Sequence, residues 1–365
     1  MSNRKAIHYW KCDRPSAFYT LTNDRLTTSD SFLIEKSLMQ QLEKWFGNKP
    51  FSLRKAGGQG NHITYLAEYG TETYFLRLEN GPEGDDYMEI EARVLDLVRE
   101  TGVPTPKVYA VDATRSEVTF SYQMLEFCNY PDLNKLHKER NLDLVNLAGH
   151  IGGNIAKWQS ITPAGFGPFD PGLLRDGGQL RGLHKTYPDY YFLNWNKHLN
   201  FLVEGGLLNE TEAEDMEILV GRHKKYLELD HGCLVHKDLA LWNILGNAEG
   251  IKAFIDWDDT ICGDPTDDLS LLACFHSGEV VEAAIRGYQK IRVLPAHFLT
   301  RFWLHLLRNI VVKAVIRVGG GYFDRKSDFF LLGSGATGTS LRDFTKQRIQ
   351  TACEGLQSLK QIKDL

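Results

Sequence analysis

The chain has 365 residues, of which 42% are hydrophobic and 24% are charged, and its formal net charge at pH 7 is −5. This length allows two domains or lobes with separate cores, and the composition is that of an ordinary soluble globular protein. The negative charge, without any block rich in Lys and Arg, argues against a nucleic acid as the partner.

No targeting or membrane segment is expected from the sequence. The first ten residues lack the apolar core of a signal peptide. The most apolar stretch, residues 302–318, is interrupted by basic side chains at positions 305, 308, 313 and 317, which is typical of an amphipathic core helix and not of a bilayer span. The six cysteines are scattered without a C-x-x-C pair, which favours a reduced, cytoplasmic protein without structural zinc.

In chain order, residues 1–28 are polar and aromatic without a clear period, and no role is assigned to this extension. Residues 31–46 place apolar side chains at helical spacing and end at Gly47, which predicts a helix with a glycine cap. Residues 51–69 and 73–78 alternate in the manner of antiparallel strands.

A glycine-rich segment lies within the first strand region, at 56–62. Small residues there would let backbone N–H groups approach a triphosphate that larger side chains would hold away. The candidate nucleotide-binding residues of this segment are Gly57, Gly58, Gln59, Gly60 and Asn61. The alternative is an ordinary glycine-rich hairpin turn. The segment lacks the Gly-Lys-Ser/Thr ending of a P-loop, so a Walker-type NTPase is not supported.

Further along, apolar spacing predicts a helix over 85–100 that closes before Pro104, followed by a strand over 118–127. The rest of the chain is mainly helical in pattern. Helices are predicted over 142–161, 187–203, 211–227, 269–274, 279–291, 302–318 and 343–359.

The stretch 233–263 holds the most informative pattern. A His-Lys-Asp tripeptide ending at Asp238 follows one apolar run, Asn243 comes five residues later, and Asp256 follows a second apolar run. Two short strands around a turn would bring these three residues to one end of a hairpin. A carboxylate that can take a proton, with an amide and a carboxylate that can hold a hard cation, is what phosphoryl transfer to a hydroxyl needs.

The spacing H-x-D-x-x-x-x-N, followed by an Asp after an apolar strand, resembles the catalytic and metal loops of the protein-kinase-like superfamily. Ile-Asp-Trp-Asp at 255–258 and Gly-Asp-Pro-Thr-Asp-Asp-Leu at 263–269 are more similar to the aminoglycoside phosphotransferase family. That family also contains kinases of choline, homoserine, methylthioribose and fructosamines.

The resemblance implies an α+β, bilobal protein-kinase-like fold. It would have an N-terminal antiparallel sheet with one main helix and a larger, mostly helical C-terminal lobe. Residues 1–128 would form the nucleotide-binding lobe with its N-terminal extension, and residues 129–365 the catalytic and substrate-binding lobe. This boundary follows from the resemblance more than from composition.

The resemblance also implies roles for the central residues. Asp238 would be the catalytic carboxylate that accepts or orients the proton of an acceptor hydroxyl. Asn243 and Asp256 would hold one or two Mg²⁺ ions. His236 is expected to brace the loop by hydrogen bonds. Asp258 has two interpretations, a second acid near the metal or a cap on the following turn.

A nucleotide site is implied on the N-terminal side. Arg77 stands where kinase-like folds carry a phosphate-binding Lys, and its fork can hold phosphate oxygens, although it differs from Lys in reach and hydration. Glu91 is expected to pair with Arg77, with Glu89 as the rival on the same helix. The strand that contains Met124 and Glu126 would present its backbone to the adenine edge.

Lys237 replaces the Gly that is common in the family. The segment between Asp256 and Asp264 is too short for a phosphorylated activation loop, so a solvated Lys or a substrate contact is expected, and a protein kinase is disfavoured. Asp267 and Asp268 are expected to fix the catalytic loop through backbone or His contacts.

These features predict transfer of the γ-phosphate of ATP or GTP to a hydroxyl of a small substrate, such as an aminoglycoside, a sugar or an amino alcohol. The alternative is a catalytically silent, kinase-like nucleotide-binding or regulatory protein, which Arg in place of Lys at position 77 would favour. Carboxylates at 204–217 could meet the ammonium groups of an aminoglycoside, and aromatic residues at 187–195 could cage a quaternary ammonium or stack on a sugar. Solvated faces and core packing are the ordinary explanations for both groups, and the sequence predicts no oligomeric state.

Overall fold

A computed structural model describes residues 12–14, 31–47, 49–57, 62–79, 87–247, 249–325 and 338–365. The N-terminal part is built on an antiparallel sheet with the strand order β1-β2-β3-β5-β4. The strands are β1 (Phe51–Lys55), β2 (Ile63–Tyr69), β3 (Glu72–Glu79), β4 (Val108–Asp112) and β5 (Ser121–Glu126). In the central strand β3, Arg77 pairs in register with Thr64 of β2 and Gln123 of β5.

Helices cover both faces of this sheet. The predicted helix over 31–46 is present with those bounds as α1 (Ser31–Phe46), and α2 is Tyr87–Glu100. Leu76 packs in the cluster that contains the apolar side chains of α1, whereas its neighbour Phe75 packs against the core that contains those of α2. Because successive strand residues face opposite sides, α1 and α2 lie on opposite faces of the sheet.

The C-terminal part is mostly helical. Its α-helices are α3 (Leu133–Lys138), α4 (Leu144–Trp158), α5 (Pro171–Gly177), α6 (Tyr187–Tyr191), α7 (Trp195–Glu204), α8 (Glu210–His223), α9 (Asp267–Leu272), α10 (Gly278–Gln289), α11 (Phe298–Gly319) and α12 (Gly338–Ser358). Short 3-10 helices cover Lys224–Leu227, Leu241–Asn243, Tyr322–Asp324 and Ile362–Asp364. The fold is therefore α+β with an antiparallel N-terminal sheet, as predicted, and the boundary near residue 128 stays a prediction.

Six short strands complete the C-terminal part. They are β6 (Phe166–Phe169), β7 (Gly182–His184), β8 (Cys233–Val235), β9 (Ile244–Asn247), β10 (Gly250–Phe254) and β11 (Ile261–Gly263). β9 and β10 form an antiparallel hairpin, and β8 pairs with β11 in a second sheet of order β7-β6-β11-β8. The chain between β8 and β9, and the chain between β10 and β11, are thus held at both ends by strand pairing.

The C-terminal core depends on a close contact between α4 and α10. A Cβ atom at Gly152 would lie 1.8 Å from the carbonyl oxygen of Ala284, and one at Gly287 would lie 1.8 Å from that of Gly149. Only glycine allows the two backbones to approach this closely. Helix α11 runs beside α9 and α12 and is buried along most of its length. Among the described helices, none combines the length and the apolar character needed to cross a bilayer.

The prediction of one continuous helix over 187–203 is wrong. The segment 187–203 is divided into α6 and α7, with Phe192 as the C-terminal cap of α6 and Asn194 as the N-terminal cap of α7. The Asn194 side chain donates hydrogen bonds to the carbonyl oxygens of Cys12 and Arg14, each at 3.1 Å. The break therefore serves a contact with a segment far away in sequence, which helical periodicity does not reveal.

Candidate active site

Two loops meet at the centre of the molecule. The catalytic loop, residues 236–243, connects β8 to β9, and the acidic loop, residues 256–260, connects β10 to β11. The backbone N–H of Ile255 donates to the carbonyl oxygen of Asn243 at 3.0 Å. The β9–β10 hairpin therefore holds the end of the first loop beside the start of the second, which is the arrangement that the sequence predicts.

Asp238 is held by two nitrogen donors. Asn243 Nδ2 donates to Asp238 Oδ2 at 2.9 Å and to the Asp238 carbonyl oxygen at 2.8 Å. Lys313 Nζ of α11 contacts Asp238 Oδ1 at 2.5 Å. Burial opposes the charge of Lys313, but the neighbouring Asp238 raises the pKa of Lys313 above its usual value. The carboxylate is thus fixed in place and remains partly open, with 21% of its side chain exposed.

Arg77 joins the N-terminal sheet to both α2 and the acidic loop. Its Nη1 lies 2.7 and 2.6 Å from the two carboxylate oxygens of Glu91, and its Nη2 donates to Asp256 Oδ1 at 3.0 Å. Glu91 Oε1 also accepts from the backbone N–H of Trp257 at 3.0 Å. The rival Glu89 instead contacts Arg175 at 2.6 Å. The partner of Arg77 on α2 is therefore Glu91.

Asp256 belongs to a cluster that could hold a cation. One ligand atom from each of His62, Asp256 and Asp258 lies within 4.8 Å of the others. Burial, and then repulsion from Asp258, raises the pKa of Asp256 to about 7, although Arg77 opposes this shift. Burial would also raise the pKa of Asp258, but His62 and Arg14 hold it well below its usual range. Both interpretations of Asp258 therefore stay predictions, with its carboxylate close to that of Asp256.

His236, the first residue of the catalytic loop, is fully buried. Its backbone N–H donates to Asp268 Oδ2 at 3.0 Å, and its Nε2 lies 3.1 Å from the carbonyl oxygen of Ile255. Its ring packs on Trp257, with 4.3 Å between the centroids. Burial lowers the pKa of His236 to about 4. A neutral, buried imidazole in these contacts can brace the loop.

Lys237 is not solvated, so the first of its two expected roles is wrong, and a substrate contact stays a prediction. Only 7% of its surface is exposed. Its Nζ lies 3.1 Å from each carboxylate oxygen of Asp267 and 2.6 Å from Asn309 Oδ1. Asp268 accepts from the backbone N–H of Lys237 at 3.2 Å. Two acids of α9 therefore fix the catalytic loop, and Lys237 is the cation that neutralises one of them.

The predicted nucleotide contacts are described only in part. Gly58, Gln59, Gly60 and Asn61 lie outside the described residues. A Cβ atom at Gly57 would meet nothing within 4 Å, so the backbone at the start of this segment faces open space.

Met124 and Glu126 differ in how their backbones are used. Met124 is buried and pairs with β3 on one side and with β4 on the other. Glu126 is the last residue of β5, and its N–H donates to the carbonyl oxygen of Lys107 at 2.8 Å. Their contact with an adenine edge stays a prediction.

The sequence does not predict two parts of the site. In the sequence Lys313 is only a charge that interrupts an apolar helix, yet in the structure it contacts Asp238. Residues 12–14 reach the acidic loop, where Arg14 Nη2 lies 2.9 Å from Asp259 Oδ1. The signal for Lys313 was its charge within a helix that is otherwise apolar, because a buried cation requires a partner. Residues 12–14 carry no comparable signal.

A family match covers most of the chain. Residues 53–301 match the model of the phosphotransferase enzyme family, abbreviated APH. A comparison with curated protein sequences finds no match.

Several solved structures are similar to the chain. Aminoglycoside phosphotransferase APH(4)-Ia has 15% identity and a TM-score of 0.60, over 88% of this chain and 98% of that chain. A thermostable mutant of that enzyme, in ternary complex with AMP-PNP and hygromycin B, has 17% identity and a TM-score of 0.60, over 87% and 98%. Macrolide 2′-phosphotransferase MphH from Brachybacterium faecium has 16% identity and a TM-score of 0.55, over 78% and 93%.

Structural likeness at this low identity shows the fold alone. The family match carries more, because it spans residues 53–301 of the 365, which is well over half of the sequence. It also contains Arg77, Glu91, Asp238 and Asp256, which form two of the contact groups described above. The chain therefore belongs to the phosphotransferase enzyme family.

Proposed function

We propose that this phosphotransferase moves the γ-phosphate of ATP or GTP to a hydroxyl group of a small-molecule acceptor, such as an aminoglycoside, a sugar or an amino alcohol. The observation that carries the proposal is the convergence of Asp238, Asn243 and Asp256 at the open end of one hairpin, with Arg77 joined to Asp256 at 3.0 Å. The similar structure that holds AMP-PNP and hygromycin B supports a nucleotide donor and a small acceptor.

In this proposal, the nucleotide lies between the glycine-rich segment and Arg77. The Glu91 carboxylate fixes the Arg77 guanidinium from behind by two short contacts, so that the third contact, to Asp256, points toward the acidic loop. Glu91 and Asp256, after overcoming the effect of burial, raise the pKa of Arg77 above its usual value, so its charge is permanent. A fixed cation at this place can bind phosphate oxygens.

The donor set near Asp256 fits Mg²⁺. Asn243 turns its amide nitrogen toward Asp238, which leaves the amide oxygen as the atom that can face a cation. Carboxylate and amide oxygens are the ligands that Mg²⁺ prefers. Desolvation and repulsion from Asp258 raise the pKa of Asp256, and its side chain is still 39% exposed, so a cation that relieves this repulsion can reach it. We propose Asn243 and Asp256 as ligands, with Asp258 beside them, and Mg²⁺ bound there would neutralise phosphate charge.

Asp238 would orient the acceptor hydroxyl and take its proton as the oxygen attacks the γ-phosphorus. Lys313 and Asn243 hold both carboxylate oxygens, so the group is positioned before the acceptor arrives. Positioning matters more than basicity here, because the transition state of phosphoryl transfer is loose and little proton transfer precedes attack.

The proposal is tested first with nucleotide alone and then with acceptors. Mg·ATP and Mg·GTP should raise the thermal unfolding temperature, and release of ADP or GDP should be followed with choline, homoserine, fructose and hygromycin B as acceptors. Asp238→Asn should lower turnover at least ~10²-fold while Mg·ATP binding is kept. Asp256→Ala should weaken Mg·ATP binding itself.

Asp230→Ala, a change of an exposed aspartate outside the site, is the control and should behave as wild type. Near-normal turnover of Asp238→Asn would remove Asp238 from the mechanism. Nucleotide binding without transfer to any acceptor would favour a silent, kinase-like binding protein.

A further inference from the structure

The N-terminal segment Cys12–Arg14 lies against the acidic loop. Arg14 Nη2 donates to the carbonyl oxygen of Asp258 at 3.0 Å and to Asp259 Oδ1 at 2.9 Å. The guanidinium also packs on the ring of Tyr87, at the start of α2, with 3.9 Å to the ring centroid. One side chain from outside the matched family region thus touches both the acidic loop and α2.

The same segment is anchored on its other side. Asp13 accepts from Arg308 Nη1 at 3.0 Å and Nη2 at 2.5 Å, and from the Tyr190 hydroxyl at 2.7 Å. The carbonyl oxygens of Cys12 and Arg14 accept from the Asn194 side chain. Arg14 is 4% exposed and Arg308 is 2% exposed, so these contacts lie inside the protein.

A small cavity lies beside this segment, between it, the acidic loop and helix α11. Its volume is about 30 Å³, and its lining includes all three segment residues together with Asp259, Asn309 and Lys313. Asp238 does not line the cavity, but Lys313 does, and its Nζ contacts Asp238, so one side chain links the cavity to the proposed catalytic carboxylate. A space of this volume accepts on the order of one or two water molecules, or a group such as CH₂OH.

The segment acts as a wall and not as a lid. Moving Asp13 away would leave Arg308 as a buried cation without its carboxylate. Breaking a buried pair from one side is costly enough to disfavour the open state by about 10²- to 5 × 10³-fold. The closed position of Cys12–Arg14 therefore persists when an acceptor binds.

We propose that Cys12–Arg14 forms a fixed wall of the acceptor site and selects compact alcohols. This inference rests on the proposed function, and it narrows the acceptor class. The acceptor should carry its reacting hydroxyl on an unbranched carbon, as in a primary alcohol. A hydroxyl on a substituted ring would bring the ring into collision with the wall before the oxygen reaches Asp238. Arg14 is the residue that sets the width, since it fills the space between Tyr87 and Asp259.

The first test measures hydrolysis of Mg·ATP without an acceptor, which needs no knowledge of the natural substrate. Arg14→Ala enlarges the cavity and admits more water beside Asp238, so hydrolysis relative to wild type should rise by about threefold or more. Arg54→Ala, which removes an exposed arginine of β1 paired with Glu68, is the matched control and should leave hydrolysis unchanged.

The second test compares acceptors within each variant. Homoserine and choline serve as compact acceptors and hygromycin B as a bulky one. Wild type should prefer the compact acceptors in kcat/KM, and Arg14→Ala should shift the ratio at least ~10-fold toward hygromycin B. If Arg14→Ala also disturbs the acidic loop, the rates with all acceptors fall together and this effect cancels in the ratio. Only a change in the shape of the acceptor site therefore changes the ratio.

The outcomes separate the two proposals. Absence of transfer to every acceptor by wild type would overturn the proposed function, and this inference with it. Transfer with an unchanged ratio in Arg14→Ala, or a wild-type preference for hygromycin B, would overturn the wall alone. If Arg14→Ala does not fold, the charge-neutral double variant Asp13→Asn with Arg308→Gln replaces it. This double variant must shift the same ratio at least ~3-fold, and an unshifted ratio would again overturn the wall.

Discussion

Replacing Glu91 by Gln removes one negative charge from the junction of α2, β3 and the acidic loop while it leaves the shape of the side chain almost unchanged. Glu91 is 1% exposed and accepts two contacts from Arg77 and one from the backbone of Trp257. The Gln oxygen can keep the bond to Trp257. Arg77 loses its principal carboxylate partner, and among the described residues it keeps its contact with Asp256.

The expected loss of stability follows from this burial. Removing one partner of a buried ion pair costs about 3–5 kcal/mol, because the remaining charge stays desolvated. Since Arg77 keeps Asp256, and Gln keeps one hydrogen bond, we expect a decrease of about 3 kcal/mol in the free energy of unfolding. The same change strengthens the hold of Arg77 on Asp256, so Mg·ATP should also bind more weakly.

Glu89→Gln is a matched control on the same helix. Its partner Arg175 is 37% exposed in its side chain, and such a pair contributes about 1 kcal/mol or less. Urea unfolding of both variants with and without Mg·ATP measures the two effects. Equal destabilisation by Glu89→Gln and Glu91→Gln would refute the assignment of Glu91 as the structural partner. Unchanged Mg·ATP affinity in Glu91→Gln would refute the link to the nucleotide site.

Two further changes test other contacts. Lys313→Met should lower kcat about 10-fold or more with little change in KM for nucleotide, because Asp238 is then no longer held in a fixed position. Lys346→Met, a change on the exposed side of α12, is the control and should leave kcat unchanged. A normal kcat in Lys313→Met would contradict the proposed role of Lys313 in positioning Asp238. Burial lowers the pKa of His276 to about 3, so as the pH falls His276 binds a proton in the unfolded chain before it does so in the folded protein. Its contribution to the free energy of unfolding is therefore fully present above pH 6.5 and is lost as the pH falls toward 3. Between pH 7.5 and pH 5, the free energy of unfolding measured in urea should therefore fall by about 2 kcal/mol more in wild type than in His276→Phe. His150→Phe, at an exposed site, is the control and should show the same decrease as wild type. Equal decreases in wild type and His276→Phe would contradict this account.

The parts of the site that the sequence predicts are those with local causes. Asn243 and Asp256 flank two apolar runs joined by a turn, and such a hairpin places its two ends together whatever the rest of the chain does. The bounds of α1 follow in the same way from apolar spacing and the glycine that ends it. The pairing of Arg77 with Glu91 needed the family resemblance, since the sequence offered Glu89 as well.

The parts that the sequence did not predict depend on contacts between distant residues. Asp13 and Arg308 are 295 positions apart, and neither shows its partner in any local pattern. In the sequence, Lys313 and Arg308 stand out only because their charges interrupt an apolar helix. Buried charges require partners, so these positions were informative about burial but not about which acid they would meet. Which acid each of these side chains contacts depends on how α11 packs beside the catalytic loop.

Backbone conformation at two site residues shows how strongly these distant contacts act. Lys237 and Asp256 both have left-handed φ values, 71° and 66°. This conformation costs a non-glycine residue about 1–2 kcal/mol. In this chain the Lys237 side chain joins Asp267 and Asn309, and a buried ion pair of this kind outweighs the backbone cost because breaking it would cost about 3–5 kcal/mol. Asp256 is held in the same conformation by Arg77, so partners on other elements fix the local geometry of both loops.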